Sequence, residues 1–198
     1  MNCIIIHGTM GCPNENWFLW LQNEVAKLLD CETYDVLTPH FPYVVNGGEC
    51  KGYNLWKKIL MPYKEAGLIN KETIIIAHSL GPVFIYKFLE ETQTHVKAVV
   101  SVAGNNNSLL GVKKFDDFNS QFFIDWETLK EASNYAKYRY AFCSEDDPYV
   151  PLEQSKKFAE VVGAEQFIIK NAGHFNTKAG YDKFPQLLEL VEKIIKDK

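Results

Sequence analysis

Arginine is almost absent from this chain, and its scarcity restricts the partners that the protein can have. Arg139 is the only arginine, and 21 basic residues are outnumbered by 25 acidic residues, for a formal net charge of −4. Proteins that bind nucleic acid normally carry a basic excess, with arginine side chains placed against phosphates or guanine edges. We therefore expect no nucleic-acid partner.

Long hydrophobic runs are also missing. Near its N-terminus the chain has only the short run Ile4-Ile5-Ile6, with no basic region before it. A membrane span needs about 20 apolar residues, and a signal peptide needs a basic segment before a longer apolar one. The expectation is a protein with neither a signal peptide nor a membrane partner.

Paired cysteines are the third absence. The five cysteines are scattered and form neither a C-x-x-C pair nor a metal-ligand spacing with nearby histidines; they are Cys3, Cys12, Cys31, Cys50 and Cys143. An odd, dispersed set in a chain of this size indicates reduced thiols. We expect a cytoplasmic protein that holds no metal.

What the chain does contain is enough apolar material for a packed core. Of its 198 residues, 46% are hydrophobic and 23% are charged, which excludes intrinsic disorder. A chain of roughly this length buries about 70% of the surface that it exposes when unfolded. We expect residues 1–198 to form one domain.

Short β-branched runs alternate with amphipathic stretches along the whole chain. The clearest runs lie at 2–7, 73–78 and 96–102, and weaker strand candidates lie at 33–37, 138–143 and 166–170. Apolar residues recur at three- and four-residue spacing in the predicted helices, at 16–30, 53–66, 82–92, 125–136, 152–162 and 180–196. The pattern predicts an α/β fold: a three-layer α/β/α sandwich with a mostly parallel six-stranded sheet.

A serine stands where a buried strand meets a helix. The segment Ala77-His78-Ser79-Leu80-Gly81-Pro82 follows the third predicted strand. A serine at the tip of a sharp strand-to-helix turn is typical of a nucleophile elbow, in which small neighbouring residues allow a strained backbone. Serine before a helix is also a common N-cap, so this segment alone leaves both interpretations open.

Two later loops carry the other residue types that a nucleophilic serine needs. A serine hydroxyl requires a base, and the base requires an acid that orients it. Asp146 and Asp147 follow the fifth predicted strand, and His174 follows the sixth. Hydrolases built on such an elbow have the order serine, acid, histidine, with each residue at a strand end. Either aspartate is a candidate acid, and turn aspartates and a buried structural histidine are the alternatives.

The loop after the first predicted strand completes the set. It reads His7-Gly8-Thr9-Met10-Gly11-Cys12-Pro13, and its glycines permit close approach of the backbone. The oxyanion of an acyl-transfer reaction is stabilised by backbone amides, one of them directly after the nucleophile. We predict the amides of Leu80 and Thr9 as these donors.

With these segments in place, the chain resembles the α/β-hydrolase superfamily, and within it the small cap-less serine hydrolases similar to retinoblastoma-binding protein nine and the bacterial YdeN-like proteins. Five segments that span nearly the whole chain carry the resemblance: Ile5-Ile6-His7-Gly8, Trp17-Phe18-Leu19-Trp20, Ala77-His78-Ser79-Leu80-Gly81, Asp146-Asp147-Pro148-Tyr149-Val150-Pro151 and Gly173-His174-Phe175. One departure is Ala77, where the superfamily usually has glycine.

The resemblance implies roles for the candidate residues. It makes Ser79 the nucleophile, Asp147 the acid and His174 the base of a catalytic triad, and it implies no cofactor. It also implies a minimal hydrolase fold with sheet order 2-1-3-4-5-6 and no cap domain. The order reverses between strands 1 and 3, which places the His7-Gly8 loop beside Ser79.

The substrate pocket is the least defined part of the prediction. Phe41, Tyr43, Phe122 and Phe123 lie in predicted loops after strands, and we predict that they line an acyl pocket. Residues 104–137 leave room for a short lid, with 105–124 as the candidate segment, but not for a cap domain. Trp17 and Trp20 are assigned to packing of a helix on the sheet.

The expected function is hydrolysis of a small-molecule carboxylic ester, or of an amide or thioester, through an acyl-enzyme. Two alternatives stay open at this point. One is a module on a hydrolase scaffold that binds a protein partner and has little turnover, because a fold does not fix a function. The other is a cysteine-dependent hydrolase that uses Cys12.

Overall fold

The computed structural model describes residues 1–46, 49–50, 52–107 and 111–197, and a parallel sheet forms its centre. The sheet strands are β1 (Asn2–Ile6), β4 (Thr73–His78), β5 (Val96–Val102), β6 (Ala136–Ser144) and β7 (Glu165–Ile169), hydrogen-bonded in the order β1-β4-β5-β6-β7. All four neighbouring pairs are parallel, with Ile4 opposite Ile75 and Val100 opposite Tyr140. A small antiparallel pair, β2 (Val45–Asn46) and β3 (Glu49–Cys50), lies outside this sheet.

Helices cover both faces of the sheet. They are α1 (Phe18–Leu29), α2 (Gly52–Glu65), α3 (Gly81–Thr92), α4 (Lys113–Asn119), α5 (Trp126–Ala132), α6 (Leu152–Val161) and α7 (Pro185–Lys196). The buried sides of α1 and α7 pack on one face of the sheet, and those of α2, α3, α5 and α6 pack on the other. The predicted three-layer α/β/α architecture is confirmed.

The central strands β4 and β5 are buried at every position because both faces are covered. In β4, Ile75 and Ala77 belong to the core beneath α2 and α3, whereas Ile74 and Ile76 belong to the core beneath α1 and α7. A strand buried on both faces has no position where water contacts a polar side chain, which explains the uninterrupted β-branched runs. The carboxyl ends of these strands meet at one edge of the sheet.

The prediction of a strand at 33–37 is wrong, so the parallel sheet has five strands and not six. Thr33–Asp35 form a turn of 3-10 helix, stabilised by a capping box in which the Glu32 amide donates to the Asp35 carboxylate. Only Leu37 reaches the sheet, where its amide donates to the Cys3 carbonyl at 2.9 Å and its carbonyl accepts from the Ile5 amide at 2.8 Å. The chain therefore passes the edge of β1 at the predicted place, but with a single bridge instead of a strand.

The connection between β5 and β6 contains only short helices in its described part. In the described part of this stretch the chain forms only α4, which was not predicted as a helix, and α5, which ends at Ala132 and continues as a 3-10 turn over Ser133–Tyr135. Residues 108–110 of the candidate lid lie outside the described residues. None of the helices described is long and apolar enough to cross a bilayer.

Candidate active site

Ser79 lies at a sharp turn between β4 and α3. Its backbone is left-handed, with φ of 60°, a conformation that non-glycine residues adopt rarely and that is held here by a bond from its amide to the Val102 carbonyl at 2.8 Å. The N-cap of α3 is Leu80, and no side chain caps it. Ser79 is therefore not the N-cap of the helix, and the elbow geometry is present.

The loop after β1 approaches this elbow closely. A Cβ atom at Gly8 would lie 2.6 Å from the Ser79 Cβ, a distance that real side chains do not reach. Only glycine fits at this position, because any larger residue would separate the loop from the serine. The two strand ends that the sheet order places side by side are thus in direct contact.

His174 and Asp147 form a buried hydrogen-bonded pair at the same edge. The Nδ1 atom of His174 lies 2.7 Å from Oδ2 of Asp147, and the two side chains are 11% and 1% exposed. The other oxygen of Asp147 accepts from the amides of Tyr149 at 2.8 Å and Val150 at 3.0 Å. The carboxylate is therefore fixed in one orientation, and it leaves Nε2 of the imidazole available for proton transfer.

Asp146, the second candidate acid, is bound elsewhere. Its Oδ1 accepts from the Gly173 amide at 3.0 Å and from the Ser144 hydroxyl at 2.9 Å. These two bonds, the one from the Gly173 amide first, hold the pKa of Asp146 below its usual value. Asp146 thus supports the backbone of the histidine loop, whereas Asp147 contacts the imidazole.

Two buried rings hold the backbone of the histidine loop. Nε2 of His78 donates to the His174 carbonyl at 2.8 Å, and Nε1 of Trp17 donates to the Phe175 carbonyl at 2.9 Å. Oδ1 of Asn16 accepts from the Thr177 amide at 3.0 Å. The sequence predicts only a packing role for Trp17 and does not reveal these bonds. The position of His78 directly before the nucleophile was the available signal for its contact.

The two histidines beside the site are neutral. Burial is the main reason that the pKa of His78 falls to about 3, with repulsion from His174 next; burial likewise lowers the pKa of His7 to about 4. A carbonyl oxygen only accepts, so His78 carries its proton on Nε2. Each ring is thereby a fixed donor near neutral pH.

His7 fixes the orientation of the loop that approaches Ser79. Its Nδ1 donates to the Gly8 carbonyl at 2.8 Å, while its Nε2 accepts from the Phe41 amide at 2.9 Å. The Gly11 amide donates to the same Gly8 carbonyl at 3.1 Å. Because the carbonyl and the N–H of a trans peptide point in opposite directions, these bonds direct the Thr9 amide to the other side of the loop.

A cavity of about 600 Å³ opens beside these groups, and both Ser79 and His174 line it. Its wall combines apolar side chains with asparagines: Met10, Leu80, Phe115, Tyr149, Val150, Asn105 and Asn119. Within the described chain, the amides of Thr9 and Leu80 donate no hydrogen bond to another protein group.

The four aromatic residues predicted for the acyl pocket do not line this cavity. Phe41 and Phe122 are fully buried in the core beside α2 and α3, where they pack against Trp56. Tyr43 and Phe123 are half-buried against the same core. The Phe41 loop is drawn inward by its amide bond to His7, which no local pattern reveals. Phe115 and Tyr149 are the aromatic residues of the cavity wall.

Cys12, in the loop after β1, is a half-buried free thiol. Its Sγ is 3.9 Å from a carboxylate oxygen of Glu15, and none of the basic side chains that the structure describes is bonded to it. Reactive cysteines are activated by positive charge or a nearby base, so this environment does not favour the cysteine-dependent alternative.

Comparisons with known proteins find serine hydrolases among the relatives of this chain. Residues 3–193 match the model of a protein family described as serine hydrolases. The chain is 28% identical over 189 residues to putative hydrolase YdeN of Bacillus subtilis (strain 168), covering 94% of this chain and 92% of that one. Serine hydrolase RBBP9 of Rattus norvegicus is 22% identical over 195 residues, covering 97% and 94%.

Solved structures show the same fold. The crystal structure of the ydeN gene product from B. subtilis matches with a TM-score of 0.81 and 25% identity, over 99% of each chain. The crystal structure of a putative YdeN-like hydrolase from Pectobacterium atrosepticum matches with a TM-score of 0.67 and 15% identity, over 98% of this chain and 90% of that one. The second likeness concerns the fold alone.

Proposed function

The chain belongs to the serine hydrolase family and is an enzyme of that type, and from this premise we propose that it hydrolyses small-molecule carboxylic esters through an acyl-enzyme. In this proposal Ser79 is the nucleophile, His174 the general base and Asp147 the acid that orients it. Amides and thioesters are the secondary substrates, because the same acyl chemistry applies to them.

The first half of the reaction forms the acyl-enzyme. Oγ of Ser79 attacks the ester carbonyl while Nε2 of His174 takes the hydroxyl proton, and Asp147 stabilises the imidazolium. The amides of Thr9 and Leu80 donate to the oxyanion of the tetrahedral intermediate. The intermediate collapses, the bond to the alcohol breaks, and the imidazolium protonates the departing alcohol.

The second half returns the enzyme to its starting state. His174 takes a proton from a water molecule, and the resulting hydroxide attacks the acyl carbonyl. A second tetrahedral intermediate forms in the same oxyanion site. Its collapse releases the carboxylic acid, and the proton on His174 returns to Ser79.

One observation carries the proposal. The 2.7 Å bond between Asp147 and His174 lies at the wall of the same cavity that holds Ser79 at a left-handed elbow. A buried aspartate on Nδ1 fixes the tautomer in which Nε2 accepts the serine proton. An aspartate and a histidine with a purely structural role would not need a strained serine on the same cavity.

The charge of the site favours neutral substrates. Arg139 lies at hydrogen-bond distance from backbone carbonyls of Ser133 and Ala136, at the amino end of β6 and away from the catalytic loops. Among the described residues that line the cavity, Lys178 is the only lysine or arginine, and Glu15 is also present. No guanidinium is available there to bind a highly anionic group bidentately.

The test is turnover of short p-nitrophenyl esters by purified protein. We expect Ser79→Ala and His174→Ala each to lower kcat/KM by at least about 10³-fold, because neither residue retains its function without the other. His95→Ala is the matched control, since His95 is exposed at the amino end of β5, on the opposite edge of the sheet, and this variant should keep wild-type turnover.

Two outcomes would contradict the proposal. Turnover that persists in Ser79→Ala would show that another group performs the chemistry. A well-folded wild type without turnover on esters, amides or thioesters would favour the alternative of a module that binds a protein partner on a hydrolase scaffold.

A further inference from the structure

Asn119 is a buried polar residue on the wall of the catalytic cavity. It is the last residue of α4, it is only 8% exposed, and it lines the same cavity as Ser79. A buried amide needs hydrogen-bond partners at both ends, because removing either group from water without a partner costs about 1 to 3 kcal/mol. The partners of this side chain therefore indicate its role.

The oxygen end of the amide is occupied. The Thr9 hydroxyl donates to Oδ1 of Asn119 at 2.7 Å, a contact between residues 110 positions apart. This bond links α4 to the loop after β1, and it determines which end of the amide faces the loop. The amide nitrogen is consequently turned away from Thr9.

The nitrogen end has no protein partner. Within the residues that the structure describes, Nδ2 of Asn119 donates to no oxygen or nitrogen atom, although it carries two N–H donors. The atom is not sealed from solvent, because it is not among the fully buried unpaired atoms. Because Asn119 lines the cavity, these donors are available to a molecule bound there.

The N–H donors of Asn119 are connected through Thr9 to the position of the reacting carbonyl. Thr9 supplies the proposed oxyanion donor through its amide and holds Asn119 through its hydroxyl. Because the amide and the hydroxyl of Thr9 are only a few bonds apart, an acceptor that reaches Nδ2 lies within a few bonds of the carbonyl that Ser79 attacks. An unsubstituted alkyl chain would leave the donors unpaired when it displaces water.

We propose that Asn119 binds an oxygen acceptor on the acyl part of the substrate, and that the preferred substrates are esters of acids with an ether or carbonyl oxygen close to the scissile carbonyl. This inference rests on the proposed esterase function and adds a substrate class to it. Asn119 is a specificity-determining residue here and takes no part in proton transfer.

The test compares two esters of nearly equal shape, p-nitrophenyl methoxyacetate and p-nitrophenyl butyrate. The quantity measured is kcat/KM for the methoxyacetate divided by kcat/KM for the butyrate. This ratio in the wild type is then divided by the same ratio in each variant. The different intrinsic reactivity of the two esters cancels in this quotient. We expect the ratio to fall about 3- to 10-fold in Asn119→Leu, the range for one net hydrogen bond to a neutral acceptor.

Asn119→Asp provides a second variant of the same shape. It keeps an oxygen for the Thr9 hydroxyl, but a carboxylate has no N–H to donate, so the preference for methoxyacetate should fall here too. Asn134→Leu is the control, because Asn134 is exposed just before β6 at the opposite edge of the sheet. It should keep the wild-type ratio.

The outcomes separate this inference from the proposed function. An unchanged ratio in both Asn119 variants, with turnover still dependent on Ser79, would overturn the role of Asn119 and leave the esterase function standing. Turnover of both esters by Ser79→Ala would overturn the proposed function and this inference with it. Loss of the preference in both Asn119 variants but not in Asn134→Leu supports it.

Discussion

The histidine loop and the cavity wall formed by α4 are attached to the protein in different ways. Four residues of the histidine loop are each bonded through the backbone to a side chain from another segment, namely Gly173 to Asp146, His174 to His78, Phe175 to Trp17 and Thr177 to Asn16. In the described chain, α4 reaches the catalytic loops through one side-chain bond, between Asn119 and Thr9.

Under the proposed function, this difference separates the region that performs the chemistry from the region that selects the substrate. A base must be held within a fraction of an ångström of its productive position, because a displacement of about 1 Å can lower the rate about 100-fold. The histidine loop also contains left-handed residues, Asn171, Gly173 and Phe175, that need external support. The wall at α4 has no such requirement, so its residues can vary with the substrate while the catalytic geometry is kept.

The largest effect is expected from removing the carboxylate that contacts His174. Asp147→Asn should lower kcat by about 10³- to 10⁴-fold, because an amide cannot hold the tautomer that leaves Nε2 as a base. Asp146→Asn, at the adjacent position, keeps an oxygen for the Gly173 amide, so its kcat should fall far less. Steady-state kinetics on p-nitrophenyl butyrate measures both. Equal losses would show that the two carboxylates do not have the separate roles described.

A smaller effect is expected when one support of the histidine loop is removed. His78→Leu takes away the donor to the His174 carbonyl and should lower kcat about 10- to 100-fold, with KM within about twofold of wild type. His78→Gln places an amide donor near the same point and should recover most of the rate. A rise in KM without a change in kcat would place His78 in substrate binding instead.

The buried neutral histidines also predict how stability depends on pH. The pKa values of His78 and His7 fall from 6.5 to about 3 and about 4, so below pH 6.5 the unfolded chain binds protons that the folded chain does not. Folded stability is therefore complete above pH 6.5 and is lost as the pH falls towards 4. Each histidine contributes a slope of about 1.4 kcal/mol per pH unit.

Urea unfolding between pH 7 and pH 4.5 measures this dependence. His78→Gln removes one of the two groups, so its unfolding free energy should decline less steeply than that of the wild type, by about 1.4 kcal/mol per pH unit at most. Parallel curves for the two proteins would mean that His78 is protonated in the folded state.

The smallest expected effect tests the wall. Phe115 is half-buried on α4 and lines the cavity, and its ring packs 5.7 Å from Tyr43. Phe115→Ala should raise KM for p-nitrophenyl butyrate about 2- to 5-fold through lost apolar contact, with kcat and the thermal midpoint almost unchanged. A fall in kcat as large as that of His78→Leu would contradict the separation of the two regions.

The sequence predicts the architecture well where the signal is local. Uninterrupted β-branched runs such as that around Ile75 can pack only between two layers, so strands and helix faces follow from them. The prediction of an edge strand at 33–37 is wrong because Glu32 and Asp35 cap a 3-10 turn and leave only Leu37 to bridge β1. Local polar bonding outweighed the apolar pattern there.

The candidate site divides in the same way. Strand ends meet at one edge of a parallel sheet, so the loops of Ser79, Asp147 and His174 come together, as the sheet order predicts. The bond from Trp17 to Phe175 joins residues 158 positions apart, and helical periodicity contains no information on it. Likewise, no pattern distinguishes a core aromatic such as Phe122 from a cavity aromatic such as Phe115.

The central claim is that Ser79 is the activated nucleophile, and labelling with a fluorophosphonate followed by peptide mass analysis tests it most directly. The serine oxygen attacks phosphorus and fluoride leaves, so the probe reports activation of the hydroxyl without the choice of a substrate. We predict one adduct per chain, on Ser79, and none in Ser79→Ala. A wild type that remains unlabelled, or an adduct that persists in Ser79→Ala or is found on Cys12, would contradict the claim.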